Sequence, residues 1–284
     1  MNSRLRNAAI DDICVKDLIF YEEANRDNLY KFCFRNSISF LPAPDRKSVY
    51  KLTSDGFINR TLNFDYCLHP NEPLFAESTI SKFAKVDENE IKFVVKDGLI
   101  TGVVHIVDYN NEFVAVELYR AFFRFENNLR KLLMRNGFSN EDFISWVKLN
   151  RDWEMNESNT GSYWADKLAT LCPADPLMFA KKENSRRSVY PFQTFYFSDL
   201  LQFALDYKVL PREPFNAKAL RLLRNFVAHN RHFISIAESG DGQLLYDFNH
   251  LQLFKENMTV FFAAEDHLEQ LLITTPVNIS FADK

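Results

Sequence analysis

Hydrophobic spacing divides the chain near residue 112. Upstream, short alternating runs are mixed with short helical stretches. Downstream, apolar residues recur three and four positions apart, the period of an amphipathic helix. Leu29, Phe32 and Cys33 predict a helix over residues 22–34. Residues 37–44 read as a strand stopped by Pro42 and Pro44, and residues 48–53 alternate as a second strand. A short helix is expected over 57–62, after Asp55-Gly56. The order then recurs. A helix is expected over 73–86, with Pro73 near its start and Leu74, Ile80, Phe83 and Ala84 along it. Strands follow over 91–95 and 99–107, joined by Asp97-Gly98, a pair that tolerates the positive φ angles of a tight hairpin turn. We read an internal repeat of roughly 50 residues, helix–strand–strand–helix twice over.

Beyond the boundary the helices lengthen. Leu118, Phe122, Phe125, Leu129 and Leu132 form an apolar stripe over 116–136, and Gly137 stands where a C-terminal cap belongs. Glu126 and Arg130 on this helix are four apart and can pair. Ser139 and Asp142 read as a capping box that opens a helix to about residue 150. Another helix is expected over 163–171, ended by Pro173 and Pro176. The stretch 181–188 is basic, without periodicity, and is expected as a surface loop. Ser198 caps a helix over 199–209, and Asn216 caps one running to about residue 234. Residues 239–242 are a turn, and Asn249 caps a last helix over 251–272. Its core candidates are Leu253, Met258, Phe261, Phe262, Leu268 and Leu271. The fold class is therefore an α+β N-terminal module over 10–117, followed over 118–284 by an all-α bundle of about six helices.

Composition narrows the function classes. A chain of 284 residues, 46% hydrophobic, is long enough for a sizeable core. Its net charge of -4 excludes a global basic field, so any nucleic-acid contact must be local. Cys14, Cys33, Cys67 and Cys172 lack Cys-x-x-Cys spacing, which argues against a zinc site or disulfide framework and fits a reducing cytosol. The first residues lack the apolar core of a signal peptide, and no apolar run approaches a membrane span. A soluble, cytoplasmic protein with no membrane partner is expected. His105, His250 and His267 are isolated, so no metal set is expected. Gly-rich phosphate loops and nucleophile elbows are absent from the sequence.

Against that acidic average, residues 216–237 hold four Lys/Arg, two His and no Asp or Glu. At their centre Arg224, Asn225 and His229 bring a guanidinium, an amide and an imidazole onto one apolar helix. Metal-free RNA cleavage needs this set. An imidazole moves the proton between the 2′-hydroxyl and the leaving oxygen. A guanidinium meets the charge that builds on the phosphate. An amide orients either one. The plain alternative is that these residues decorate a helix surface or core. On a straight helix Asn225 and His229 lie 40° apart, whereas Arg224 and His229 are about 140° apart, so either the long Arg224 side chain or a second copy of the site must complete the cleft. His232 is either a spare proton carrier or an ordinary surface residue.

An arginine, a polar residue and then a histidine, late in a helical bundle, resembles the motif of the HEPN family; four residues separate Arg224 from His229. The opening helix, with Glu126 and Arg130, also resembles that family's first helix. The resemblance covers about residues 112–273. It implies a metal-independent endoribonuclease acting as a homodimer on RNA, with Arg224, Asn225 and His229 catalytic and Glu126 and Arg130 in support. No cofactor is implied for catalysis.

The order of the first part is similar to a tandem pair of CBS domains, a module that senses adenosine ligands. The second copy matches best. Its run from Gly102 to Asp108 follows the family's pattern of Gly, two apolar residues, Thr or Ser, two more residues and Asp, although His105 stands where Thr or Ser is usual. The resemblance implies an adenine nucleotide as regulator, with its ribose on Asp108 beside His105. The first copy lacks the pattern. On the residues alone, Asp108 reads equally well as a helix cap. Two functions follow: a nucleotide-regulated ribonuclease, for which the resemblance implies a role in stress response or antiviral defence, or a non-catalytic dimeric ligand-sensing or RNA-binding scaffold.

Overall fold

A computed structural model describes residues 4–84, 91–157, 163–229, 231–238, 244–246 and 248–276. Small antiparallel sheets occupy the N-terminal part, and a mostly helical part follows. The chain divides into two units, Met1–Tyr119 with Phe226–Thr259, and Arg120–Asn225 with Val260–Lys284. The first unit therefore holds a late segment as well as the sheets.

In the first unit, α1 (Arg26–Arg35) precedes a three-stranded meander of β1 (Phe40–Pro42), β2 (Ser48–Thr53) and β3 (Gly56–Thr61). The helix expected over 57–62 is thus a strand. Thr53 pairs with Gly56 around a two-residue loop, and each residue from Phe57 to Thr61 pairs in turn with β2. That ladder satisfies backbone groups which six isolated residues cannot satisfy as a helix. The repeat accordingly holds in part: the first copy ends in a third strand. Short α2 (Glu77–Ile80), continued by a 3-10 turn over Ser81–Phe83, takes the place of the longer helix expected at 73–86.

Strands β4 (Ile91–Lys96) and β5 (Leu99–His105) form the predicted hairpin. Asp97 and Gly98 have φ of 53° and 74°, as the favoured two-residue turn requires. Val15 bridges to Val103 on one side and Leu68 to Val94 on the other. Val49 and Phe93, from different sheets, share a core cluster with Cys67 and Ile100.

The late segment of this unit is held by side chains. The Asn110 amide group both donates to the Ile234 carbonyl and accepts from its amide, each across 2.9 Å. Phe233 stacks on Phe254 with ring centres 4.0 Å apart, and Phe254 meets Phe75 edge to face. Strands β6 (Ile236–Glu238) and β7 (Leu244–Tyr246) pair antiparallel; the turn expected at 239–242 lies outside the described residues.

The helical part consists of α3 (Glu112–Arg135), α4 (Asn140–Glu157), α5 (Tyr163–Leu171), α6 (Pro176–Arg187), α7 (Phe197–Asp206), α8 (Ala217–Ala228) and α9 (Phe248–Thr274). The unit boundary falls within α3, α8 and α9. All five stripe residues of α3 are buried. Phe122 and Phe125 pack on Phe197 and Phe261, with ring centres 4.6–5.9 Å apart. Gly137 (φ 82°) closes α3, with the Phe138 amide on the Leu133 carbonyl. Ser139 and Asp142 cap α4 reciprocally, as their spacing predicts.

Helix α6 corrects the loop expected at 181–188. The Asp175 carboxylate accepts the Met178 amide at 2.8 Å, and Pro176 sits at the first helical position, so the start signal lies upstream of the aperiodic stretch. In α9 the chain turns helical at Phe248, so Asn249 lies inside the first turn and does not cap it. Leu253 is solvent-exposed, whereas Met258, Phe261 and Leu268 are buried.

Candidate active site

Helix α8 starts where its sequence predicts. The Asn216 side chain accepts the amides of Lys218 and Ala219 at 3.1 Å. Ala219, Leu220 and Leu223 are buried; Lys218 and Arg221 face the exposed side, and Arg224 lies on the flank, about 40° from Leu220. The helix ends earlier than expected. A hydrogen bond from the Arg231 backbone N–H to the Phe226 carbonyl, 2.9 Å long, closes it after Ala228. His229 is therefore exposed in the turn beyond the helix, and the helical-wheel angle no longer describes it.

Arg224 is half-buried, with a third of its side chain exposed (33%). Its Nε donates to Glu126 Oε1 on α3 at 3.4 Å. The other oxygen, Oε2, accepts from Arg130 at 3.1 Å. Arg130 is buried; its Nε also donates to the Phe192 carbonyl at 3.3 Å, and its NH1 lies 3.5 Å from the Asn127 side-chain oxygen. Two guanidinium groups on one carboxylate leave a formal charge of about +1, so Arg224 is positioned without being neutralised. The terminal amino groups of Arg224 make no hydrogen bond among the described residues, and neither does the exposed side chain of Asn225. This second unit thus brings together Arg224, Glu126 and Arg130. Asn225 lies on the same helix, and His229 and His232, both exposed, belong to the first unit.

Asp108 and His105 lie together in the first unit. A 3-10 turn over Ile106–Asn110 follows β5. The Asp108 carboxylate accepts the His105 amide at 2.7 Å, and His105 Nδ1 accepts the Val107 amide at 3.1 Å. Burial raises the Asp108 carboxyl above its ordinary range, against the lowering effect of the His105 amide. Upstream, a side chain at Gly102 would collide with the Cys14 sulfur, which fills that space. Burial, reinforced by the Asp11 charge, pushes the Cys14 thiol up to about 11.

Sequence reasoning passed over a second polar cluster in the helical unit. The Lys167 ammonium pairs with Asp199, which also accepts the Tyr163 hydroxyl at 3.1 Å. The same ammonium lies 5.3 Å from the ring centres of both Tyr163 and Tyr196. Tyr163 and Lys167 are four apart on one helix, a legible signal; Asp199 and Tyr196 reach them only through the tertiary fold.

Among the described residues, no cluster of three or more His, Cys, Asp or Glu side chains is placed to hold a metal ion, and no helix is long and apolar enough to cross a membrane. No protein-family model, curated protein or solved structure matches the chain.

Proposed function

We propose that the chain is a metal-independent endoribonuclease that works as a homodimer. The observation that carries this reading is the set of bonds around Arg224. Glu126 holds the guanidinium by its inner nitrogen, Arg130 preserves the positive charge, and the two terminal amino groups keep the fork that suits a phosphate. In this reading the substrate 2′-oxygen attacks phosphorus as its proton leaves to an imidazole. The P–O5′ bond breaks, and a second imidazole protonates the departing oxygen. The products are a 2′,3′-cyclic phosphate and a 5′-hydroxyl. His229 of each protomer supplies one of the two proton-transfer groups, Arg224 clamps the phosphate, and Asn225 orients the imidazole.

Regulation by an adenine nucleotide is the finer part of the proposal. It rests on the run from Gly102 to Asp108. A ribose bound there would replace the hydrogen bond from the His105 backbone N–H to the Asp108 carboxylate with hydroxyl contacts.

A second reading has its own support. Arg130 is buried and ties α3 to the Phe192 carbonyl, as a purely structural polar network would. On that reading the dimer is a non-catalytic RNA-binding scaffold. One experiment separates the two. Wild type, Arg224→Ala and His229→Ala are incubated with total RNA in EDTA, with and without adenine nucleotides. The ribonuclease reading expects fragments from wild type alone; identical patterns from all three sink it.

A further inference from the structure

Helix α6 has an unusual surface. Its sole buried residue is Arg186; every apolar side chain on it is exposed, Leu177 by 82%. Helices of this length are marginal in water without an apolar face to bury. Its cations Lys181, Lys182 and Arg187 are exposed, and one carboxylate on the helix, Glu183, opposes them. Glu183 is largely committed to Arg186 at 2.6 Å, with Arg187 at 3.5 Å. Favourable placement near a helix C-terminus accounts for Arg186 and Arg187. It does not account for Lys181 and Lys182, in the middle of the helix.

The end of α6 adjoins an aromatic stack. Arg186 NH1 donates to the Leu171 carbonyl at the end of α5, across 2.8 Å. One turn back along α5, about 6 Å away, lies Lys167, held between the rings of Tyr163 and Tyr196. Lys167 is nearly covered, yet Tyr163 and Tyr196 are 56% and 71% exposed. Among the described residues, the one ring that packs on either is Trp164, on Tyr163.

We propose that α6 and the Tyr163–Lys167–Tyr196 stack form a surface for single-stranded RNA, with phosphates on Lys181, Lys182 and Arg187 and bases on the tyrosines. Cations that track a backbone beside exposed rings are the physical requirements for binding a single strand. In a chain of net charge -4, this local cationic run is where a polyanion is attracted. An anionic membrane suits the helix less well. The apolar turn at Leu177 carries the exposed Asp175 carboxylate as its cap, and insertion would bury that charge. The inference rests on RNA being the substrate, but not on catalysis.

The test measures binding of a labelled oligouridine by fluorescence anisotropy across a salt series. Arg224→Ala/His229→Ala is the background, so that nothing is cleaved. K181E/K182E/R187E should flatten the log–log salt dependence by about 2, from three lost phosphate contacts at roughly 0.7 each. Y196A should weaken binding about tenfold with an unchanged slope, and Y196F should bind like the background. All these positions are exposed, and matching thermal melts will show that the fold is intact. An unchanged slope and affinity in the triple variant overturns the inference. So does α6-dependent binding to phosphatidylserine vesicles with none to oligouridine. Failure of catalysis reads differently: total RNA stays whole while the oligouridine still binds through α6.

Discussion

Asp108 and Arg224 make an instructive pair. Both are charged side chains at the places where the sequence suggested a ligand, and each has a partner. Asp108 in the sheet unit spends its carboxylate on the backbone amide three residues before it. Arg224 in the helical unit is held by a side chain 98 residues away in sequence, through one nitrogen of three. A locally satisfied carboxylate shapes a turn. A guanidinium fixed at one corner is a donor set already aimed and partly desolvated, and so costs less to order against a phosphate.

The widest test of this contrast is catalytic. Arg224→Ala or His229→Ala should lower RNA cleavage by at least about a hundredfold, the usual scale for loss of a general acid–base or charge-stabilising group. Arg224→Lys should recover little of that loss, because an ammonium cannot replace the fork. Fragment patterns from total RNA in EDTA provide the readout.

Removing the anchor comes next. Glu126→Ala leaves Arg130 buried without its carboxylate, and should cost about 3 kcal/mol in urea unfolding. If Glu126→Gln unfolds like the Ala variant yet cleaves RNA normally, the anchor serves the fold alone.

For the other side of the pair, Asp108→Ala should cost about 1 kcal/mol as a lost cap. If the sheet unit senses nucleotides, it should also abolish the heat of titration with ATP, AMP or cyclic oligoadenylates. No heat from the wild type would leave the unit structural.

The smallest effect is a pH dependence. Arg186 holds the Glu183 carboxyl below its ordinary value. Its contribution is complete above the usual glutamate range and is lost as pH falls through the lowered folded value. Melting temperatures between neutral and strongly acid pH should therefore show a slightly shallower acid decline in Glu183→Gln than in wild type.

What could be read from sequence follows the range of the interactions. The α3 stripe, the Asp97-Gly98 turn, the Ser139–Asp142 cap and the Glu126–Arg130 pair are all local, and each stands where its spacing placed it. Residues Gly56–Thr61 form β3 and not a helix because their partner strand, not their own pattern, sets their conformation. The helix over Pro176–Arg187 has no periodic signal because it lacks an apolar face, the feature periodicity detects. α8 was drawn too long, since its amphipathic pattern continues past the amide closure at Phe226. Likewise the Glu126–Arg224 contact has no local signature; only the fold brings α3 beside α8.

The Asn110–Ile234 pair carries a consequence for folding. It closes a loop of 124 residues. Such a closure has an entropic cost of roughly 4 kcal/mol beyond a constant, and two amide hydrogen bonds return only about 2 kcal/mol. The Phe233–Phe254 stack must contribute much of the rest. The stretch after α8, on which His229 rides, is therefore expected to dock after the hairpin of β4 and β5 has formed from its own turn. Amide exchange at Ile234 should accordingly outrun exchange at Val94, so that the imidazole travels on one of the less protected parts of its unit.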